Sequence, residues 1–176
     1  MLPVTNGPGI TGEIAFWNMG REQLGKNLPL APEMSRLDMR RHLVDLHDRY
    51  VAGFRASDAD AMVDVFSVSA QAGIRDYVDD TGTLVHLDDL DGMRGHHRAF
   101  FDLYDVQAVD VLERVAQEWY LFAEVRVEAV ARTGHHQGNR VAFHTGELLI
   151  PGRENKFMVQ LGHGTDIAEA DTAQPA

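Results

Sequence analysis

At 176 residues, 44% of them apolar and 24% charged, the chain has the length and composition of one ordinary globular domain and not of a disordered segment. The formal net charge of −11 repels phosphate backbones and anionic lipid, and no Lys/Arg cluster interleaved with aromatics occurs, so neither nucleic acid nor a membrane is an expected partner. Cysteine is absent, which excludes disulfides, thiolate nucleophiles and cysteine-ligated zinc. No run approaches the ~18 apolar residues of a membrane helix. Met1-Leu2-Pro3-Val4 carries no basic-then-apolar leader, and the expected setting is the cytoplasm.

Residues 1–34 hold four of the six prolines and read as an irregular arm with a short helix around Glu13–Leu24. Ile14, Phe16, Trp17 and Met19 give that arm an apolar face suited to docking on its own domain or on a partner subunit. Ser35-Arg36-Leu37-Asp38 is a capping box, with Met34 and Met39 placed as a hydrophobic staple. Apolar residues at 39, 43, 46, 50, 53 and 54 then form one helical stripe. A second helix is expected after Ser57, with Asp60 three residues on, running to about Phe66. A hairpin follows: Ile74–Val78, a turn at Asp79-Asp80-Thr81-Gly82, and Thr83–Leu87. A third helix is expected from about Gly92 to Tyr104, burying Phe100, Phe101 and Tyr104. Val106–Ala116, Gln117–Ala131, Arg140–Ile150 and Lys156–His163 read as strands, and the end of the chain (166–176) as a frayed tail. Helices first and long antiparallel strands afterwards predict an α+β domain over residues 35–165, with the helices on one sheet face.

The stretch from Tyr50 to Phe66 resembles the opening of ketosteroid isomerases and SnoaL-like proteins, members of the nuclear-transport-factor-2-like superfamily. The shared pattern is a helix ending in an aromatic, a small-Asp-x-Asp connection (Ser57-Asp58-Ala59-Asp60) and a short helix closing on Phe66. Arg98-Ala99-Phe100-Phe101 resembles the helix that follows the first hairpin in that superfamily. The resemblance covers roughly residues 36–165. It implies a cone formed by a curved sheet whose concave face the helices cover, leaving an apolar hollow, and it implies a homodimer formed through the outer sheet face. It does not imply one reaction, because the superfamily holds isomerases, cyclases, dehydratases and silent binding modules on one fold. Tyr50 falls on the tyrosine of the oxyanion network. The base position of ketosteroid isomerases falls on Ile74, and a two-residue shift brings Asp76 there. Their oxyanion acid lies around Thr145–Gly146, with His144 and Glu147 the nearest ionisable residues. These departures fit a divergent SnoaL-like protein better than a steroid isomerase proper.

Proton transfer in such a hollow needs ionisable side chains on inward positions. Four are candidates for catalysis. Tyr50 lies on the apolar stripe, where a core tyrosine with a satisfied hydroxyl gives the same pattern. Asp76 alternates with Ile74 and Val78, and faces either the interior or solvent with them. Glu124 shares a strand face with Arg126, so an exposed ion pair accounts for it equally; Tyr120 and Phe122 lie on that face too. His144 titrates near neutrality, but its strand register is unreadable from sequence. His163 and His86 sit at weaker positions, in a strand end and in the hairpin. The pairs His96-His97 and His135-His136 lack metal-ligand spacing, so no metal is expected. Two readings follow: an acid–base isomerase, dehydratase or cyclase that uses no cofactor and acts on an apolar small molecule, with Asp76 or His144 as base and Tyr50 donating to an oxyanion; or a non-catalytic module for ligand binding or assembly.

Overall fold

Ser35 begins the first helix, α1 (Arg36–Arg55), by accepting a hydrogen bond from the Asp38 backbone N–H at 3.2 Å while its hydroxyl donates to the Asp38 carboxylate. This capping box satisfies one of the helix's free N-terminal donors and sets the entry angle of the chain. Met39, Leu43, Leu46, Tyr50 and Phe54 form the buried stripe, joined by His47 and Val51. The helix stops in a Schellman motif: the Asp58 N–H donates to the Gly53 carbonyl, the Ser57 N–H to that of Phe54, and Ser57 takes the left-handed conformation at φ 52°. Ser57 therefore ends α1, and the N-cap of the next helix, α2 (Ala59–Val63), is Asp58 and not Ser57. Asp58 accepts from the Asp60 and Ala61 N–H groups, both at 3.0 Å. Gly53 lets the two helices touch here, because a Cβ at that position would lie 2.9 Å from the Met62 backbone nitrogen.

The computed structural model describes residues 34–79, 82–152 and 155–169. The N-terminal arm, its short helix around Glu13–Leu24 and residues 170–176 lie outside the described residues, as do Asp80 and Thr81 of the hairpin turn. The remaining elements are β1 (Phe66–Arg75), β2 (Leu84–Leu87), α3 (Leu90–Leu103), β3 (Tyr104–Ala116), β4 (Leu121–Ala131), β5 (Arg140–Pro151), β6 (Phe157–Gly164) and a short β7 (Ala168–Glu169). The second hairpin strand is where the alternation placed it, but the first runs from Phe66 to Arg75 and not from Ile74 to Val78: β1 starts where α2 has already ended and stops before Asp76. The expected tail is partly ordered, since Ala168 and Glu169 pair with Ala142 and Val141 of β5.

The sheet runs β2-β1-β6-β5-β4-β3, antiparallel throughout except for the parallel β1–β6 pair. Register shifts between Val106 and Ala108 and between Val111 and Glu113 bend β3 against β4, and another interrupts β1 between Phe66 and Gln71. An extra residue on one strand sharpens the local twist, which is how a long sheet curls around a core. The helices lie on one side of this curved sheet, and the domain has the α+β cone fold. Strand β4 alternates throughout and β5 as far as Leu149: Leu121, Ala123, Val125, Val127, Ala129 and Ala131 face the helices, as do Val141, Phe143, Thr145, Glu147 and Leu149. Phe54 packs edge-on to Phe100 at 5.5 Å and Phe101 at 5.8 Å, and Arg55 donates to the Val109 carbonyl, fixing the end of α1 over β3. Among the described residues no helix is long and apolar enough to cross a membrane.

Candidate active site

The inward faces of β1, β5 and β6 and the undersides of α1 and α3 leave a cavity of about 50 Å³. Phe54, Ile74, Phe100 and Phe143 make its apolar walls; Tyr50, His97, Thr145, Glu147 and Gln160 bring polar atoms to it. Space of this size holds a few water-sized groups, so it admits the reacting end of a ligand and not a whole polycyclic molecule.

Glu147 is the most unusual of these residues. Its register on β5, opposite Ala123 of β4 and Gly162 of β6, turns its side chain inward, and it is only 4% exposed. No arginine or lysine is paired with it, and its Oε2 has no hydrogen-bond partner among the described residues. Burial without a compensating cation penalises the ionised form and raises its pKa to about 8. Nε2 of His47 lies 3.9 Å from Oε2. His47 is fully buried, and desolvation first, then the Arg114 charge, lowers its pKa to about 4. His97, buried beside Tyr50, is lowered to about 3 by desolvation and then by His96. At neutral pH His97 in the cavity wall and His47 beside Glu147 are thus uncharged imidazoles, and the Glu147 carboxyl is protonated in the larger share of molecules.

Tyr50 stands between these groups. Its hydroxyl accepts from Gln160 Nε2 at 3.0 Å, which leaves its own proton free to donate. Burial, then the Glu147 carboxyl, holds its pKa well above the ordinary tyrosine value, so it stays a neutral donor. Its ring is pinned edge-on by Phe66 at 5.9 Å and His97 at 6.2 Å. Oε2 of Glu147, Nε2 of both His47 and His97 and Oε1 of Gln160 all lack partners among the described residues. Buried polar atoms are nearly always satisfied, so the orphans that Glu147, His97 and Gln160 bring to the cavity wall call for a polar group from outside the described residues.

Of the residues the sequence singled out, the structure brings only Tyr50 to the cavity. Asp76 lies beyond the last residue of β1, where the alternation with Ile74 has ended. Its carboxylate turns back on the chain to accept from the Val78 N–H at 2.8 Å, an Asx turn that starts the hairpin loop. Glu124 and His144 lie on the outer sheet face, diagonal to one another across β4 and β5. They pair with each other at 3.4 Å, both about two-fifths exposed. Arg126, the partner sequence offered for Glu124, instead meets Glu128 at 2.7 Å. His163 and His86 are also on outward positions, paired with Gly146 and Gly73. Sequence reasoning passed over His47 and Gln160, and weighed His97 only as half of a metal-ligand pair. His47 had a signal, since it lies four residues from Leu43 and three from Tyr50 on the buried stripe. Glu147 had a weaker one, its nearness to the acid position of ketosteroid isomerases. Among the described residues no group of three or more His, Asp or Glu side chains is arranged to hold a metal ion.

The chain has the nuclear-transport-factor-2-like, SnoaL-type fold, as solved structures show. It superposes on the epoxide hydrolase/cyclase-like enzyme SalBIII, of pyran ring formation in the polyether salinomycin, with a TM-score of 0.58 and 14% identity, covering 74% of this chain and 97% of that one. A candidate polyketide cyclase from Xanthomonas campestris pv. campestris gives 0.57 at 14% identity, over 71% of this chain and 91% of that one. AclR from Streptomyces galilaeus, described as a candidate hydroxylase, gives 0.59 at 16% identity, over 72% and 81%. At these identities the likeness is one of fold. No protein-family profile and no curated protein sequence matches the chain.

Proposed function

We propose that this protein is an acid–base enzyme, of isomerase, dehydratase or cyclase type, acting on a mostly apolar small molecule that carries a carbonyl group. The observation that carries this reading is Glu147: a buried carboxyl without a cationic partner, one oxygen unsatisfied, set in the cavity wall with its pKa raised to about 8. A group titrating near neutrality is a stronger base than an ordinary carboxylate and still returns its proton readily. In the proposed step the ionised Oε2 of Glu147 removes a proton from the carbon beside the carbonyl. The C–H electron pair moves into the new C=C bond, and the carbonyl π pair moves onto oxygen. Tyr50, held by Gln160, donates to that developing oxyanion. Glu147 then returns the proton at another position of the substrate. The SnoaL-type relatives in fold include enzymes described as cyclases, which supports the reaction class but not a particular substrate.

The test is α-hydrogen exchange of small cyclic ketones in D2O, read by NMR, on ketones first selected for raising the melting temperature. Wild type is expected to exchange them, and Glu147→Gln to lose about 10²–10⁴-fold of that rate with the fold intact. Exchange by Glu147→Gln at the wild-type rate removes Glu147 from the chemistry. Ketones that bind without exchanging would return the protein to the non-catalytic, ligand-binding reading.

We also assign a homodimer contact to the outer sheet face. Val115, Phe122, Leu148 and Leu161 pair laterally across β3, β4, β5 and β6, so one apolar row crosses that face. Val115 and Phe122 are 43% and 41% exposed, the kind of surface a partner covers. Phe122→Arg is expected to halve the mass seen by light scattering, while a wild type that is monomeric at tens of micromolar would refute the contact.

A further inference from the structure

Arg114 occupies an intermediate position on β3, with its guanidinium near the buried side of α1. One of its terminal nitrogens, Nη1, donates both to the Asp48 carboxylate and to Nδ1 of His47, the latter at 3.2 Å. Arginine is always a donor and has no acceptor atom. The His47 Nδ1 that meets it must therefore present a lone pair. A neutral imidazole with a bare Nδ1 carries its proton on Nε2, and Nε2 is the atom that faces Oε2 of Glu147 at 3.9 Å. A partly buried arginine thus determines, through a histidine ring, what a buried carboxyl group sees.

We propose that Arg114 is a positioning residue: by donating to Nδ1 it holds His47 as the tautomer whose Nε2–H faces Glu147, so that the carboxylate form of Glu147 meets a hydrogen-bond donor and not a lone pair. This deepens the reading of Glu147 as the proton-transferring group and rests on it. Asp48 anchors the guanidinium from the solvent side of α1, and its ion pair with Arg114 leaves the donor direction toward His47 fixed. The 3.9 Å separation is longer than a hydrogen bond, and closes to one when Glu147 ionises and draws the N–H toward it. Lowering of the His47 pKa, by burial and by the Arg114 charge, is consistent with a ring kept neutral in this relay.

The other ionisable groups near the pair do not supply the same function. Tyr50 lies beside both residues; its hydroxyl accepts from Gln160, and its own proton is the one that the proposed reaction turns to the substrate oxyanion. Tyr77 and Arg75 approach from the end of β1, where the arginine bonds to the Gly164 carbonyl and the Asp166 carboxylate. His96 and His97 approach from α3, and both are kept neutral by burial. Among the described residues only His47 presents a ring nitrogen within 4 Å of the Glu147 carboxyl.

The experiment uses the full chain labelled with 15N in histidine and 13C in the glutamate carboxyl. At pH 7 the His47 signals of wild type are expected to show the Nε2–H tautomer. In Arg114→Met the ring is expected to move to the Nδ1–H form or to a mixture, and the Glu147 carboxyl titration to shift upward by about one pH unit, equivalent to a tenfold change in ionisation. Arg114→Lys, which keeps a charged donor, is expected to restore the wild-type tautomer, an outcome that a purely structural role for the arginine would not produce. Should Arg114→Met unfold, wild type and Arg114→Lys still decide the matter. An Nδ1–H or doubly protonated His47 in wild type, or an unmoved tautomer in folded Arg114→Met, overturns the proposal. These readings need no substrate. Loss of ketone exchange in Glu147→Gln alongside a wrong His47 tautomer would sink this inference alone, and a correct tautomer alongside wild-type exchange in Glu147→Gln would sink the function alone.

Discussion

The stability of the wild-type protein is expected to pass through a maximum near pH 6.5, and Glu147→Gln is expected to abolish the decline on the alkaline side. In the folded protein Glu147 keeps its proton up to about pH 8, whereas the ordinary value is 4.5. Between those pH values the folded state binds a proton that the unfolded chain has lost, so stability falls as pH rises, by about 1.4 kcal/mol per pH unit. His47 and His97 act in the opposite direction. Unfolded, both take up protons below about pH 6.5; folded, they resist until about 4 and about 3. Their stabilisation is present above 6.5 and is lost as pH falls. Between 4.5 and 6.5 these two histidines, with His96 lowered in the same direction, outweigh one carboxyl and the net slope is positive; above 6.5 Glu147 acts alone and the slope is negative. Replacing Glu147 by glutamine keeps a neutral polar group of the same size, and at pH 8–9 is expected to raise stability by up to about 5 kcal/mol relative to wild type. Urea unfolding at a series of pH values reads this directly. An alkaline slope unchanged in Glu147→Gln would mean that the carboxyl is not held neutral by its surroundings.

Gly164→Ala is expected to destabilise the domain by roughly 2–3 kcal/mol, the cost of forcing an added methyl group into a filled site. A Cβ at this position would lie 1.8 Å from the Tyr77 hydroxyl oxygen and 2.7 Å from the His144 carbonyl oxygen. The second of these is backbone and does not move cheaply. Tyr77 cannot easily withdraw either: its ring stacks on Phe143 with centroids 4.0 Å apart, and its hydroxyl donates to the Thr165 and His144 carbonyls. It also forms part of the cavity wall, so the same substitution is expected to weaken ligand binding. Tyr77→Phe removes the closest clashing atom and should lose about 1 kcal/mol on its own, through its hydrogen bonds. The double variant should therefore be more stable than the sum of the two losses predicts. Strict additivity would show that Tyr77 does not approach Gly164 as described.

The chemistry proposed for the cavity is carried by residues from four separate elements. α1 supplies His47 and Tyr50, β5 supplies Glu147, β6 supplies Gln160, and β3 supplies Arg114. None is near another in the chain except the two on α1. What unites them is the curl of the sheet, which the bulges in β3 impose and the helices seal.

Much of this architecture was legible in the residues alone. The capping box at Ser35–Asp38, the α1 stripe, the second hairpin strand and the four later strands are local or periodic features, and each was found within a few residues of where it was expected; the first hairpin strand instead begins at Phe66. The helix boundaries that moved, from Ser57 to Asp58 and from Phe66 back to Val63, moved because a Schellman motif ends α1 at Ser57 and β1 already begins at Phe66. Tyr50 could be singled out because it lies on the stripe and matches a superfamily position.

The proposed proton-transferring group was not legible in the same way. Neighbouring residues of a strand point to opposite faces, and whether His144 or Glu147 turns inward depends on how β5 registers against β4 and β6 across a long loop, which no local pattern reveals. Asp76 seemed to alternate with Ile74 only because the end of β1 is set by its partner strands. Sequence by itself determined the fold class and the elements, because hydrophobic periodicity and capping act over a few residues. Tertiary structure decided the site, because the burial that makes a carboxyl group reactive exists only once distant segments have closed around it.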